Sequence, residues 1–348
     1  MGLEISAEAP KASPAALPKP PQVAQTLSSL RDHRLEIVPP LVQTELLSFG
    51  AQRLLQASGD KVTLRESEHG QVITEASIGS VRAVAHGPLG ALFALGASGG
   101  ALLEPRAKTA TRFPRVPFLP GSRLLADLES SSHFFVYYPD VSQLYSYPFV
   151  AETNAVWPIE ASFHLEGCNE PLAQLRDGAI VCRSANGFVR QAPRGSRAEF
   201  EYKGLSDDDP LIRLLPGMRL DEFFGVTRAG EVLHLRLAGG LSLLARFRLA
   251  APPYAAAANT EALAFVLVSD PRPDQTRSWS VLVTDFDGHV RFQAELSGAV
   301  ASAEDDWLAT LVEDKNLAIS TFEPLIAVGG SRRVTVWDYA RASERFTR

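Results

Sequence analysis

The side chains best suited to proton transfer near neutral pH are the seven histidines, His33, His69, His86, His133, His164, His234 and His289. Their spacing defines no site: there is no His-Glu-x-x-His, no Gly-x-Ser-x-Gly, no phosphate-cradling glycine loop and no paired-cysteine zinc pattern. No catalytic residue, metal ligand or cofactor is therefore assigned, and any active site would have to be assembled in space from distant segments. Asp285-Phe286-Asp287-Gly288 begins like a calcium loop, but the later ligands and terminal glutamate are missing. Because Val290-Arg291-Phe292 at once resumes a strand pattern, the segment reads as a hairpin turn. Asp207-Asp208-Asp209-Pro210 reads as a solvated linker.

Two groups of residues suggest recognition instead. Tyr137, Tyr138, Tyr145 and Tyr147 are concentrated in one short stretch, and tyrosine is enriched at interfaces because it offers an apolar body with a polar tip. Arg190, Arg194 and Arg197 form a separate cluster further along the chain, with Lys203 close by, and are a candidate surface for an acidic partner or phosphate groups. These seven named tyrosines and arginines are the candidate interaction surface.

The elements that must position them repeat. Apolar runs joined by tight turns recur as Leu54–Leu64, Leu92–Leu103, Phe223–Leu233 and Leu325–Asp338. Each reads as a β-hairpin, and a hairpin every roughly 40 to 50 residues is the period of propeller blades. Asp177-Gly178 and Asn186-Gly187 add two strong hairpin signals. The expected fold is all-β: a single β-propeller of seven four-stranded blades, with six or eight as alternatives. Blade limits are placed near 44–77, 81–113, 116–150, 155–193, 211–249, 255–296 and 307–347. Helical periodicity is weak throughout, with Gln22 to Leu30 and Ala255 to Ala258 as the best short candidates. Residues 1–30, rich in Pro and Ala, are expected to form a disordered tail, and 31–348 the propeller.

Composition limits the partners. A net charge of -6 offers no overall attraction to nucleic acid or to an anionic membrane. No apolar block has the length of a secretion signal or a membrane span, so a cytoplasmic location is expected. Cys168 and Cys182 are expected as buried free thiols in preference to a disulfide.

The last blade resembles a known family. Ile326-Ala327-Val328-Gly329-Gly330 followed by Val334-Thr335-Val336-Trp337-Asp338-Tyr339 is similar to the end of a WD repeat, although the Gly-His pair of that family is absent from its expected places. The resemblance implies structural roles: Trp337 packs between blades and Asp338 satisfies nearby backbone donors. A ring must also be closed. Arg34-Leu35-Glu36-Ile37-Val38, stopped by Pro39-Pro40, is expected to join the last blade, with Glu344-Arg345-Phe346-Thr347 as a further outer strand. The expected function is a non-enzymatic scaffold for one or more protein partners, a subunit of a larger assembly. Resemblance to divergent prokaryotic propellers implies assemblies such as those built around an AAA+ ATPase or a von Willebrand A-type protein. The alternative is a propeller enzyme, a hydrolase or lyase, with its site at the central channel.

Overall fold

In the computed structural model, the described residues are 34–37, 46–50, 53–66, 70–86, 92–104, 109–119, 122–128, 133–149, 159–268, 279–295, 317–320, 323–329 and 334–341. They form seven four-stranded antiparallel sheets. Blade one is β2 (Leu46–Gly50), β3 (Arg53–Ser58), β4 (Lys61–Glu66) and β5 (Val72–Ser77). Blade two is β6 (Val81–His86), β7 (Leu92–Gly96), β8 (Gly100–Leu103) and β9 (Thr111–Phe113). Blade three is β10 (Arg123–Ala126), β11 (His133–Tyr138), β12 (Gln143–Pro148) and β13 (Ala161–His164). Blade four is β14 (Asn169–Gln174), β15 (Ile180–Ser184), β16 (Gly187–Gln191) and β17 (Arg197–Glu201). Blade five is β18 (Leu211–Pro216), β19 (Glu222–Thr227), β20 (Glu231–Arg236) and β21 (Ser242–Arg248). Blade six is β22 (Pro253–Ala258), β23 (Leu263–Val268), β24 (Trp279–Thr284) and β25 (Val290–Glu295). Blade seven is β26 (Leu317–Ile319), β27 (Leu325–Gly329), β28 (Val334–Asp338) and β1 (Arg34–Ile37).

The first and last described strands thus share a sheet: β1 runs antiparallel to β28, with Arg34 opposite Trp337 and Ile37 opposite Val334. This pairing covers the free edge of β28 and joins the two ends of the chain. Residues 22–30, the N-terminal tail and Glu344 to Thr347 lie outside the described residues.

The core is divided into seven wedges, one between each pair of neighbouring blades, including a wedge that joins blade seven to blade one through Leu54, Ala327 and Val336. Strand periodicity explains this arrangement. Successive side chains point to opposite faces, so Phe134 enters the wedge with blade two while Phe135 enters the wedge with blade four. Phe223 and Phe224 divide in the same way between blades four and six. Middle strands are consequently buried on both faces and read as continuous apolar runs, as in β7 and β19. Outer strands such as β17, Arg-Ala-Glu-Phe-Glu, are largely exposed instead and carry charge that blunts the open edge.

Three sequence expectations need correction. Ala255 to Ala258 belongs to the inner strand β22, where alanine side chains let neighbouring inner strands approach; Ala255 and Ala256 are buried. The outer strand of blade three is β13, which the sequence division placed in blade four, so blade four begins at Asn169 and extends to Glu201. The long connection between β12 and β13 hides that pairing from local periodicity. Finally, Cys168 and Cys182 form a disulfide and are not free thiols. Their Cα atoms stand 5.5 Å apart because the segment entering β14 passes directly beside β15. Among the described residues, no helix is long and apolar enough to cross a membrane.

Candidate interaction surface

The tyrosine cluster does not form a surface. Tyr137 fills the wedge between blades three and four, and Tyr138 and Tyr147 fill the wedge between blades two and three. Tyr138 donates its hydroxyl proton to the carbonyl of Pro117, and Tyr147 stacks on Phe134 with centroids 5.5 Å apart. Burial raises the phenol pKa of all three. Tyr145 is half-buried and packs edge-on against Tyr138 at 5.3 Å. The aromatic density of this stretch therefore reflects wedge packing, which the sequence pattern could not distinguish from exposure.

The arginine cluster is likewise engaged within the fold. Arg190 pairs with Asp177, and Arg194 donates to Asp127 at 2.7 Å, a carboxylate that is 1% exposed. Arg197 donates to the carbonyl of Glu166 at 3.2 Å and to Glu199 at 3.3 Å. Each contact joins segments distant in sequence or neighbours on β17, so the three cations serve first to hold blade four in place.

Trp337 is 2% exposed in the wedge between blades six and seven, with its ring 6.3 Å from that of Phe292. Asp338 Oδ1 accepts the backbone N–H groups of Ala340 and Arg341 at 3.2 and 2.9 Å. Asp285 plays a similar part in its turn: Oδ1 accepts the N–H groups of Asp287 and His289 at 3.0 and 2.9 Å. Its carboxylate pKa is lowered; burial alone would raise it, but these bonds and the His289 ring prevail. Within Asp207-Asp208-Asp209, Asp209 accepts the Thr227 hydroxyl and the Ala229 N–H, both at 2.7 Å, and so anchors the link between blades four and five.

His234 and Glu222 form a buried titratable pair. His234 Nε2 lies 3.6 Å from Glu222 Oε2, and the imidazole stacks on Phe224 at 4.3 Å. Glu222 is 2% exposed and is held by Arg236 and by the backbone N–H of Arg219. This pair is buried against Phe224 of blade five and Phe286 of blade six, so its geometry serves the fold.

An open cleft is found elsewhere on blade four. Each blade has one end carrying the turn between its second and third strands together with the link to the next blade; this end is the link face. On that face, the β15–β16 turn and the chain leaving β17 enclose about 520 Å³. Arg183, Asn186, Glu201, Tyr202, Lys203 and Asp207 supply its polar lining, and no Ser, Cys or His takes part. The β15–β16 connection has Ala185-Asn186 as its central pair, since Ser184 faces Gly187. Gly187 is therefore the first residue of β16 and not a turn centre, as Asn-Gly had suggested. A Cβ there would lie 2.2 Å from the carbonyl oxygen of Phe200, so only glycine lets the chain beyond β17 approach. That approach places Tyr202 N–H 2.9 Å from the carbonyl of Asn186 and the Tyr202 ring 6.0 Å from Phe188. Burial raises the Tyr202 pKa, with Arg246 opposing it and Glu231 adding to it. Arg183 Nη2 meets Asp207 Oδ1 at 3.4 Å across the opening. Of this lining, Asn186, Gly187, Lys203 and Asp207 stand out in the sequence, but not as parts of one site.

The chain is similar in structure to Chaetomium thermophilum Raptor, with a TM-score of 0.60 and 12% identity over 88% of this chain and 29% of that one. It is also similar to streptogramin B lyase, with a TM-score of 0.56 and 11% identity over 87% of this chain and 96% of that one. No protein-family model and no curated protein matches the sequence. The chain spans less than a third of Raptor and nearly all of the lyase. At such identities the likeness is one of fold, and this fold carries more than one kind of function.

Proposed function

We propose that this chain is a non-enzymatic protein-interaction scaffold, a WD-repeat-like propeller that serves as a subunit of a larger assembly and presents its link face to protein partners. The observation that carries this reading is the blade-four cleft, an open concavity lined by charged heads and one aromatic wall, without a nucleophile and base in reach of one another. Rigidity supports it, because each blade is wedged against two neighbours and the link-face segments are held by side-chain bonds such as those of Asp209. Compartment is a separate matter: the Cys168–Cys182 disulfide weighs against the cytoplasmic expectation, since such bonds persist in oxidising surroundings. The test is capture from native-host lysate by the tagged full chain, followed by mass spectrometry. A stoichiometric protein partner is expected; a preparation that captures none but turns over a small molecule would replace the scaffold with the channel enzyme.

A further inference from the structure

We propose that the blade-four cleft docks one acidic side chain, an Asp or Glu carboxylate on an exposed peptide segment of the partner, with Arg183 as its main ligand and Lys203 as the second. This inference rests on the scaffold reading and adds the chemistry of the partner.

The charges of the cleft differ in how firmly the fold holds them. Arg183 stands on β15, a strand paired on both sides, and its side chain is 26% exposed. Asp207 belongs to the link, its side chain is fully exposed, and one contact at 3.4 Å connects it to Arg183. Water already competes for that carboxylate, so a ligand carboxylate displaces it at little cost and returns it to solvent. The guanidinium fork donates to both oxygens of a carboxylate, a match that a point charge does not offer. Lys203 makes no ion pair with any described residue and adds a second cation on the same lining. Glu201, exposed on the lining, repels further negative charge and restricts the cleft to one acidic side chain in preference to a polyanion. Tyr202 and Leu205 provide apolar contact for the flanking peptide. A volume of about 520 Å³ suits one side chain with its neighbouring backbone, not a folded domain.

The experiment uses the full chain labelled with ¹⁵N-arginine. The Arg183 Nε–H resonance is assigned by its loss in Arg183→Lys and followed during titration with a peptide holding one Glu among Gly and Ser. We expect a saturable shift, no shift with the Gln counterpart, and at least threefold weaker binding in Lys203→Gln. The remaining arginine resonances report whether each variant stays folded. Equal response to the Glu and Gln peptides, or none at saturation, overturns the proposal. Tighter binding of inorganic phosphate than of the Glu peptide overturns it in favour of a phosphate group. Partner capture that persists undiminished in Arg183→Lys sinks this inference and leaves the scaffold standing. A positive titration by a chain that captures no protein sinks the scaffold reading instead.

Discussion

Trp337 shows how a single residue bears on the ring. Its indole is 2% exposed between blades six and seven, and its Nε1 has no hydrogen-bond partner among the described residues. Packing alone therefore carries its contribution. Trp337→Ala is expected to cost about 3 to 5 kcal/mol, while Trp337→Phe, which keeps an aromatic ring and loses no hydrogen bond, costs clearly less. Chemical denaturation of both variants checks this ordering. His234 and Glu222 make the pH prediction. Burial holds the His234 imidazole below its usual range, with Glu222 pulling it upward, so the folded protein favours the neutral ring. Burial alone would raise the Glu222 pKa, but the Arg236 and Arg219 hydrogen bonds and the nearby positive charge lower it. Both folded-state values lie below the unfolded ones, so each group stabilises the fold above its unfolded pKa and loses that effect on acidification. Stability should decline as the pH falls below 6.5 through His234, and further below 4.5 through Glu222. A melting series across this range should show a shallower first decline in His234→Asn; an unchanged slope would exclude a neutral buried ring.

At the scale of elements, blade four depends on the close approach of β16 and the chain beyond β17. Gly187→Ala places a methyl 2.2 Å from the Phe200 carbonyl and 2.6 Å from the Tyr202 nitrogen, both backbone atoms that cannot swing aside. It should destabilise by about 3 kcal/mol or more, from overpacking and backbone strain together. Gly239→Ala is the control: its φ of +66° is strained for alanine, but nothing lies within 4 Å of the new methyl. A cost of about 1 kcal/mol is expected there. Denaturant midpoints compare the two, and equal losses would show that close approach is not what Gly187 supplies.

For the whole molecule, closure is the decisive property. Seven wedges form an unbroken circuit, and the sheet of blade seven contains strands from both ends of the described chain. Deleting residues 1–25 removes no described strand and should leave the melting temperature almost unchanged. Deleting through Val38 removes β1 and exposes the backbone of β28 along four paired positions. That variant should melt lower and aggregate, because an unpaired edge recruits other strands. Light scattering beside a melting curve separates the outcomes; two truncations of equal stability would mean that β1 does not close the ring.

Blade rhythm was legible in the sequence because it is a local property: apolar runs, turn residues and their spacing reflect the conformation of neighbouring residues. Thus Leu54–Leu64 and Phe223–Leu233 could be recognised as hairpins, and the all-β architecture followed. Positions settled by contacts between distant segments were not legible. The outer strand β13 is assigned to blade three only by its pairing with β12 across a long connection. The tyrosines around β11 and β12 could have faced solvent or a neighbouring blade, and only wedge geometry shows that Tyr137 and Tyr147 are buried. Cys168 and Cys182 required the path into β14 to become bonding partners. The cleft joins Arg183 with Lys203 and Asp207 across two strands and a link, and no one-dimensional spacing encodes that meeting. Local periodicity alone determined which segments form strands. Tertiary packing decided which side chains face solvent, because exposure depends on neighbouring blades contributed by distant parts of the chain.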